Sequence, residues 1–310
     1  MKTILIAGGA GFIGSHLTES LLDKGYNITV VDDLSSGLEK NLSKVRSKIK
    51  FVRSDISEFK SKEHYDVVVN LASRASRVEW ETLPVEVALT NSIGNNNLIK
   101  LALREKSLYI YASSSEVYGD PDVVPTPETY VGRVSTTGSR SPYDEGKRFG
   151  EALTKGYERE YGLMNIIVRL FNTYGPRMRG GDFYGRVVDR FVQQAIAGIP
   201  ITIYGDGKQT RSFTYVADSV NALETLIING KHGEVYNVGN DVETTILDLA
   251  NEVKRICKSS SPIKFMDLPD YEPRRRSADI TKIKNLGFQH KVSLPEGIEK
   301  MANYHGEMGN

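Results

Sequence analysis

Tyr143 and Lys147 stand four residues apart in the segment SPYDEGKR, at the start of a predicted helix, so their side chains share one helix face. Ser114 and Glu116 lie earlier in the chain, in ASSSEVYG, after the apolar run LYIYA. A phenol beside an ammonium can act as a general base once its pKa is lowered from about 10. An unpaired carboxylate at a buried strand end is costly, so Glu116 is expected to meet a polar partner.

Both features also have a purely structural interpretation. Tyrosine and lysine occur at this spacing on exposed helices, and Glu116 could form a local salt bridge or cap a loop. A choice between the two interpretations therefore needs the other motifs of the chain.

A glycine-rich turn near residue 10 predicts a dinucleotide site. In GGAGFIG, Gly8, Gly11 and Gly14 stand three apart between a predicted strand and a predicted helix, which allows a pyrophosphate to approach the backbone and the helix N-terminus. Asp32 ends the second predicted strand, 18 residues after Gly14. A carboxylate there accepts hydrogen bonds from ribose hydroxyls and repels a 2′-phosphate, which favours NAD over NADP. The alternative is a structural turn followed by a surface aspartate.

Further residues are candidates for contact with the same cofactor. Asp55 and Ile56, after the third predicted strand, are placed to meet the adenine, although Asp55 could equally cap a helix. The complete set of predicted cofactor contacts is Gly8, Gly11, Phe12, Ile13, Gly14, Asp32, Asp55, Ile56, Leu71, Ala72, Tyr143 and Lys147.

The elements that must position these residues follow from the hydrophobic pattern. Valine- and isoleucine-rich runs without polar alternation are typical of strands covered on both faces, and they alternate with helical patterns in the first half of the chain. This order predicts an α/β fold with a doubly wound parallel Rossmann sheet. The predicted strands span residues 3–7, 27–32, 49–53, 66–71, 108–112 and 165–170, and the first helix spans 12–24.

After Phe171 the pattern loosens into loops that carry Gly, Pro and Arg, followed by a predicted strand at 233–238 and a predicted helix at 244–258. We predict an NAD-binding domain over residues 1–171, to which the chain returns at about 213–238. Residues 172–310 are expected to form mainly a second, smaller mixed α/β substrate-binding lobe over the carboxyl ends of the strands.

Composition excludes several classes of function. The net charge of +1 and the pI near 7.7 give no electrostatic reason to expect nucleic acid or a membrane surface as a partner. Cys257 is the only cysteine, which suits a reducing compartment. The apolar start is short for a signal peptide and runs directly into glycines, and no run approaches the roughly 18 apolar residues of a membrane span. We therefore expect a cytoplasmic protein, and no metal site.

The order of these motifs resembles the extended short-chain dehydrogenase/reductase family, whose members act on nucleotide-sugars. The resemblance covers nearly the whole chain. It implies that Ser114, Tyr143 and Lys147 form the oxidising machinery, with Tyr143 as the base toward the sugar 4-hydroxyl while hydride passes from C4 to NAD. Lowering the phenol pKa by about three units requires roughly 4 kcal/mol, which the Lys147 ammonium and an oxidised nicotinamide could share.

Several longer stretches resemble the UDP-glucuronate decarboxylase branch of this family: SSEVYGDP, ETYVGRVSTTGSRSPYDEGKR, RLFNTYGPRM, YGDGKQTRSFTYVAD and EPRRRSADI. The resemblance implies that C4 oxidation makes a ketone β to the glucuronate carboxylate, so that CO2 can leave while charge spreads onto an oxygen held by Ser114 and Tyr143. Glu116 is expected to orient a water that protonates C5. Register with SADI selects Arg276 as the anchor of the carboxylate, the alternative being a solvated basic run.

The resemblance also implies contacts with the nucleotide. Arg211 is expected to meet the diphosphate, with Asn172 and Arg186 nearby, and Tyr204 is expected to lie against the uracil ring. A homodimer is implied through a four-helix interface formed by residues 85–105 and 143–160.

Other functions remain open at this point. A UDP-sugar 4-epimerase is the main alternative, and a 4,6-dehydratase is a weaker one because Ser115–Glu116 stands where such dehydratases carry adjacent Asp and Glu. A binding protein that had lost catalysis would typically lack the tyrosine or the lysine, and both are present. The segment ASRASRVEW, at 72–80, departs from the proline-rich loop of the decarboxylases, which suggests an altered sugar preference.

Overall fold

The computed structural model describes residues 2–178, 187–267 and 274–308. The strands are β1 Thr3–Ala7, β2 Asn27–Asp32, β3 Lys50–Arg53, β4 Val67–Asn70, β5 Leu108–Ser114, β6 Asn165–Leu170, β7 Thr173–Tyr174, β8 Ile201–Tyr204, β9 Thr210–Ser212, β10 Thr214–Tyr215, β11 Glu234–Val238, β12 Glu243–Thr245, β13 Ile263–Met266 and β14 Arg275–Arg276. The helices are α1 Phe12–Asp23, α2 Arg77–Thr82, α3 Pro84–Leu89, α4 Asn95–Glu105, α5 Ser141–Tyr161, α6 Val187–Ile196, α7 Val216–Asn229, α8 Ile246–Ile256, α9 Thr281–Lys284 and α10 Leu294–Met308.

The central sheet has seven strands in the order β11-β6-β5-β4-β1-β2-β3, and every neighbouring pair is parallel. Its strands are mostly buried, as expected where helices cover both faces. The predicted doubly wound α/β fold is confirmed. The strand order reverses between β1 and β4, and the carboxyl ends of strands at such a switch point form the crevice in which ligands of this architecture bind.

Alternate residues of β1 belong to two different cores, one on each side of the sheet. Ile4 and Ile6 pack into the core that α1 and α7 cover, with Leu17 and Leu223 as members. Leu5 packs into the opposite core, which the helices α4 and α5 cover. The period-two alternation of side chains along a strand explains why an unbroken apolar run supplies both faces.

Apart from the cores on the two faces of the central sheet, a separate hydrophobic core lies among elements that follow the sixth strand. It is called the second core region below. The helices α6, α8 and α10 pack against one another and against the strand β8, around Phe191, Ile203 and Leu249. The strand β8 pairs with β13, and β9 pairs with β12 and β14. Within this region the register of β14 on β9 places Arg276 beside Arg211. The strand β11, by contrast, pairs with β6 in the central sheet.

The bounds of β1, β2 and β6 agree with the sequence-based expectation, whereas β5 continues beyond residue 112 to Ser114. The extension arises because Ser113 and Ser114 still pair with Arg169 and Leu170 of β6. These two serines carry no apolar signal, so the hydrophobic pattern alone ended the strand too early. The extension carries Ser114 to the edge of the crevice.

Candidate active site

One cavity of about 480 Å³ runs from the glycine turn, across the carboxyl ends of the sheet, to the loops of the second core. All of the predicted cofactor residues line it, as do the candidate catalytic residues Ser114, Glu116 and Arg276. Asn172, Tyr204 and Arg211 line it as well, while Arg186 lies outside the described residues. The predicted cofactor, catalytic and nucleotide-binding residues, although far apart in sequence, therefore line the same cavity.

The glycine turn can close this tightly only because its glycines have no side chains. A Cβ on Gly14 would lie 2.2 Å from the Gly8 oxygen, and a Cβ on Gly8, whose φ is +76°, would lie 2.8 Å from the Ala72 nitrogen. The turn therefore packs against itself and against the end of β4, and the backbone N–H groups at the start of α1 border the cavity. This cradle fits the pyrophosphate of a dinucleotide.

The Asp32 carboxylate is held rigidly beside that turn. Oδ2 accepts a hydrogen bond from the Ala10 amide at 2.9 Å, and Oδ1 accepts one from the Leu34 amide at 2.9 Å. Burial raises the pKa of Asp32, and these two amides oppose the rise. Each oxygen retains a lone pair for a ribose hydroxyl, so the geometry fits the dinucleotide that the glycine turn accommodates.

The adenine end has a less specific arrangement. Asp55 lines the cavity, but its Oδ1 also accepts a hydrogen bond from the Ser57 amide at 2.7 Å, as a residue that caps a turn would do. The capping interpretation is therefore observed, and the contact of Asp55 with adenine stays a prediction. Ile56 is 4% exposed and packs beneath the same end of the cavity.

The helix α5 places Tyr143 and Lys147 in the lining of the cavity, beside the carboxyl end of β5. Both side chains are buried, and the Lys147 ammonium lies 5.9 Å from the centre of the Tyr143 ring. Lys147 donates a hydrogen bond to the Ala112 carbonyl at 2.8 Å, which ties α5 to the end of β5. Ser114, two residues further along β5, accepts a hydrogen bond from the Glu116 amide at 3.2 Å through its hydroxyl oxygen.

Burial dominates the protonation of this pair in the protein by itself. Burial raises the pKa of Tyr143 to about 12, although the Ser114 hydroxyl and the charges of Arg140 and Arg276 oppose the rise. Burial likewise lowers the pKa of Lys147 to about 7. The predicted lowering of the phenol pKa by Lys147 together with an oxidised nicotinamide stays a prediction. The protein groups by themselves shift both side chains toward their neutral forms. The physical reason is that removal of water penalises phenolate and ammonium alike.

Glu116 is held by two arginines. Arg276 binds it in a bidentate manner, with Nη1–Oε1 and Nη2–Oε2 distances of 2.5 and 2.9 Å, and Arg140 donates to the same Oε2. Arg276 comes from β14 in the second core region, 160 residues away in sequence. The salt bridge that the sequence offered as a structural alternative is thus present, but it is long-range and lies inside the cavity rather than on a local loop.

Arg140 and Asp144 of this cluster were not identified from the sequence, whereas Trp80 ends the segment 72–80 in which the sequence suggests an altered sugar preference. The Trp80 ring stacks on the Tyr143 ring, with centroids 4.4 Å apart and an interplanar angle of 19°. The Arg140 guanidinium lies 5.3 Å from the centre of the Trp80 ring and contacts both Glu116 and Asp144. The only available signal was proximity in sequence, since Arg140 and Asp144 flank Tyr143.

The predicted nucleotide contacts lie at the far end of the cavity. Arg211 is buried and donates to the Thr210 carbonyl at 2.8 Å, and Asn172 donates to the Ser212 carbonyl at 3.1 Å, so both are anchored on the strand β9. The Arg190 guanidinium lies 5.1 Å from the centre of the Tyr204 ring, a contact that the sequence did not reveal. The arrangement supplies an aromatic face and arginine charge for a nucleoside diphosphate.

Two further properties concern the part of the chain that the structure describes. Within it, no three His, Cys, Asp or Glu side chains converge in a way that could hold a metal ion. No helix in those same segments is both long enough and apolar enough to cross a membrane.

Comparison with known proteins finds a matching family model and similar proteins of known activity. A model of the NAD dependent epimerase/dehydratase family matches residues 4–239. UDP-glucuronic acid decarboxylase 1 of Arabidopsis thaliana is 43% identical over 303 residues, which are 97% of this chain and 69% of the relative.

Among solved structures, UDP-glucose 4-epimerase from Thermotoga maritima with UDP-glucose has a TM-score of 0.91 at 33% identity, over 99% of this chain and 100% of that chain. UDP-glucuronic acid 4-epimerase from Bacillus cereus, in complex with UDP-glucuronic acid and NAD, has a TM-score of 0.89 at 30% identity, over 99% of both chains. The likeness therefore extends over the whole fold and not only over the glycine turn.

Lys147→Met is expected to stabilise the folded protein at neutral pH, because the buried ammonium has a pKa near 7 when folded and about 10.5 when unfolded. The unfolded state binds the proton more tightly, so this lysine destabilises the wild type fully below pH 7, and the penalty disappears as the pH rises toward 10.5. After allowance for the lost hydrogen bond to Ala112, the gain at pH 7 should be on the order of 2 kcal/mol. Denaturant unfolding of the variant and of wild type at pH 7 and pH 10 measures this difference in unfolding free energy.

The exposed Lys208→Met serves as the matched control and should change the unfolding free energy by less than about 0.5 kcal/mol. The gain in unfolding free energy of Lys147→Met over wild type should be larger at pH 7 than at pH 10. Equal gains at the two pH values would contradict the lowered pKa of Lys147.

Proposed function

The chain belongs to the NAD dependent epimerase/dehydratase family, whose cofactor is NAD, and from that premise we propose that it decarboxylates UDP-glucuronate to UDP-xylose. The family membership confirms the resemblance to the extended short-chain dehydrogenases/reductases on which the sequence motifs converge. The observation that carries the proposal is the bidentate contact of the Arg276 guanidinium with the Glu116 carboxylate, in the same cavity as Tyr143. That geometry suits a substrate with a carboxylate beside the reacting hydroxyl.

The residues that would hold NAD are the glycine turn at its pyrophosphate, Asp32 at its adenosine ribose, and Tyr143 with Lys147 at its nicotinamide end. When bound, NAD would accept the hydride from C4 of the sugar and return it to C4 after CO2 has left, and its positive charge would favour the phenolate. The chain's own contribution is to aim the groups that handle protons and charge. Lys147 is anchored to the Ala112 carbonyl, so its charge is positioned before any ligand binds.

Tyr143 acts as the base that removes the proton from the sugar 4-hydroxyl. Its buried position excludes water from the reacting oxygen, and the Ser114 hydroxyl opposes the burial effect by stabilising the phenolate. Once the substrate carries a C4 ketone, both hydroxyls donate hydrogen bonds to the oxygen on which negative charge develops as CO2 leaves. Trp80, which stacks on Tyr143, keeps the phenol in the orientation this requires.

Arg276 and Glu116 handle the two ends of the carbon–carbon bond that breaks. The substrate carboxylate replaces Glu116 on the guanidinium fork of Arg276, which is a poor acid because its pKa lies above about 12. Glu116 keeps its contact with Arg140 and orients the water that protonates C5. This exchange of one carboxylate for another explains why a buried arginine pair surrounds a single glutamate.

A UDP-glucuronate 4-epimerase is the second candidate. It is favoured by the structural likeness to the Bacillus cereus epimerase, which covers 99% of both chains. Such an enzyme would keep the carboxylate and change only the configuration at C4. The two candidates differ in one measurable product, CO2.

Purified protein incubated with NAD and UDP-glucuronate should release CO2 and form UDP-xylose without net accumulation of NADH. Tyr143→Phe should lower kcat by about 10²-fold or more because it removes the base, while Tyr161→Phe, at the exposed end of the same helix, should match wild type. Formation of UDP-galacturonate without CO2 would establish the epimerase instead. Product analysis by chromatography with mass detection distinguishes these outcomes.

Arg276→Ala should raise KM for UDP-glucuronate by about 10- to 100-fold, because a bidentate, charge-assisted contact with the carboxylate is lost. The adjacent Arg275→Ala is the matched control, since that side chain is 56% exposed and pairs with Glu243 outside the cavity. Affinity for UDP alone should change little in either variant. Equal KM values for the two variants would argue against a role of Arg276 in binding the carboxylate.

We further propose that the protein is a homodimer. Val85, Leu89 and Ile93 recur at four-residue spacing, with 63%, 46% and 54% of their surfaces exposed, and Phe149 on α5 is 50% exposed. The helices α3 and α5 pack side by side, so these side chains can form one apolar patch of the kind that marks a protein interface. A reducing, cytoplasmic location is likewise proposed, on the single cysteine Cys257.

Sedimentation at micromolar protein concentration should give a dimer for wild type and a monomer for Phe149→Glu, because a charge at the centre of an apolar interface is left unpaired. Val242→Glu is the control: Val242 is 65% exposed and lies in the segment between β11 and β12. A Phe149→Glu variant that sediments like wild type would rule out this interface.

A further inference from the structure

Asp144 is a buried carboxylate beside Tyr143 for which the proposed mechanism has no use. It is 7% exposed, and its Oδ2 lies 3.6 Å from Nε of Arg140. Among the described residues, no group donates a hydrogen bond to its buried Oδ1. A buried carboxylate oxygen without a donor is costly, so the position calls for an explanation beyond packing.

Arg140 connects Asp144 to the carboxylate cluster. Its guanidinium contacts Glu116 as well as Asp144, while Arg276 holds Glu116 from the other side. Two guanidinium groups thus face two carboxylates, and the cluster is electrically balanced when all four are ionised. Burial makes that balance important, because charges interact strongly where water is excluded.

Few other ionisable groups face Asp144. On its own helix these are the phenol of Tyr143 and Glu145, which points outward toward Arg148 at 3.6 Å. On the segment around α2, Arg74 and Glu79 pair with each other at 3.4 Å, and Trp80 presents an aromatic face. From the remaining elements the facing groups are Glu116 and Arg276.

A substrate carboxylate bound to Arg276 would add a third negative charge to this cluster. Neutrality returns if one carboxylate takes up a proton, and Asp144 is the one best placed to do so. After the ligand takes its place on Arg276, Glu116 keeps the Arg140 guanidinium on Oε2, whereas Oδ1 of Asp144 can be protonated without the loss of any hydrogen bond seen among the described residues. Burial has already raised the pKa of Asp144 to about 6, against the opposing charges of Arg140 and Arg276.

We propose that Asp144 is a positioning residue that holds Arg140 against Glu116 and binds one proton when a sugar carboxylate occupies Arg276. The inference rests on the proposed function, because it needs a carboxylate substrate. The proton comes from solvent and returns when CO2 has left, so no other reactant is involved. Since binding takes up a proton, affinity for the carboxylate ligand weakens as pH rises above about 6, by at most about tenfold per pH unit.

Calorimetry of the enzyme loaded with NADH tests this directly, because NADH cannot accept the hydride and the ligand stays intact. UDP-glucuronate and UDP-glucose are titrated at pH 7 in two buffers with different ionisation enthalpies, and the difference in apparent binding enthalpy gives the protons taken up. Wild type should take up close to one proton more with UDP-glucuronate than with UDP-glucose. Equal uptake for the two ligands overturns the inference while leaving the proposed function intact.

Asp144→Asn should abolish this extra uptake and flatten the pH dependence of affinity, whereas Glu145→Gln, its outward-facing neighbour, should behave like wild type. Extra uptake that persists in Asp144→Asn would assign the proton to another group and refute the role of Asp144. Should Asp144→Asn fail to fold, equal proton uptake by wild type with the two ligands would still overturn the inference. Failure of UDP-glucuronate to bind at all would instead count against the proposed function.

Discussion

The bidentate ion pair between Arg276 and Glu116 is the contact on which the geometry of the cavity depends. It connects β14, which belongs to the second core region, with the turn that follows the central strand β5. Removal of one partner from a buried pair generally costs about 3–5 kcal/mol, because the other charge is left uncompensated. In the proposed mechanism, Arg140 remains to compensate the charge of Glu116 when a ligand carboxylate takes its place on Arg276.

Burial acts on the reacting residues in a way that opposes their stability but serves their chemistry. Tyr143 and Lys147 are both shifted toward their neutral forms by loss of water. The folded protein tolerates this because Ala112, Trp80 and Ser114 hold the two side chains in place. Sites of this kind gain reactivity from the positive charge that a ligand adds, since that charge acts strongly where solvent does not screen it.

Much of the fold could be predicted from the sequence, and the features that were missed are confined to single positions. The apolar runs gave the bounds of β1, β2 and β6 correctly, because strands buried on both faces need continuous hydrophobicity. The two serines at the end of β5 were missed, since their pairing with β6 leaves no apolar trace. The sequence-based argument about the Tyr143 pKa considered Lys147 and a bound nicotinamide but not burial, because spacing along a helix carries no information about burial.

Residue types and their order were enough to indicate a parallel α/β fold, a dinucleotide turn and a tyrosine–lysine pair, because each of these depends on neighbours within a few turns of chain. The partners of Glu116 could not be read in this way. Arg276 reaches it across 160 residues, and Trp80 meets Tyr143 only once α2 has folded over α5. Such contacts are set by how the elements pack, and packing is a property of the whole chain rather than of any segment.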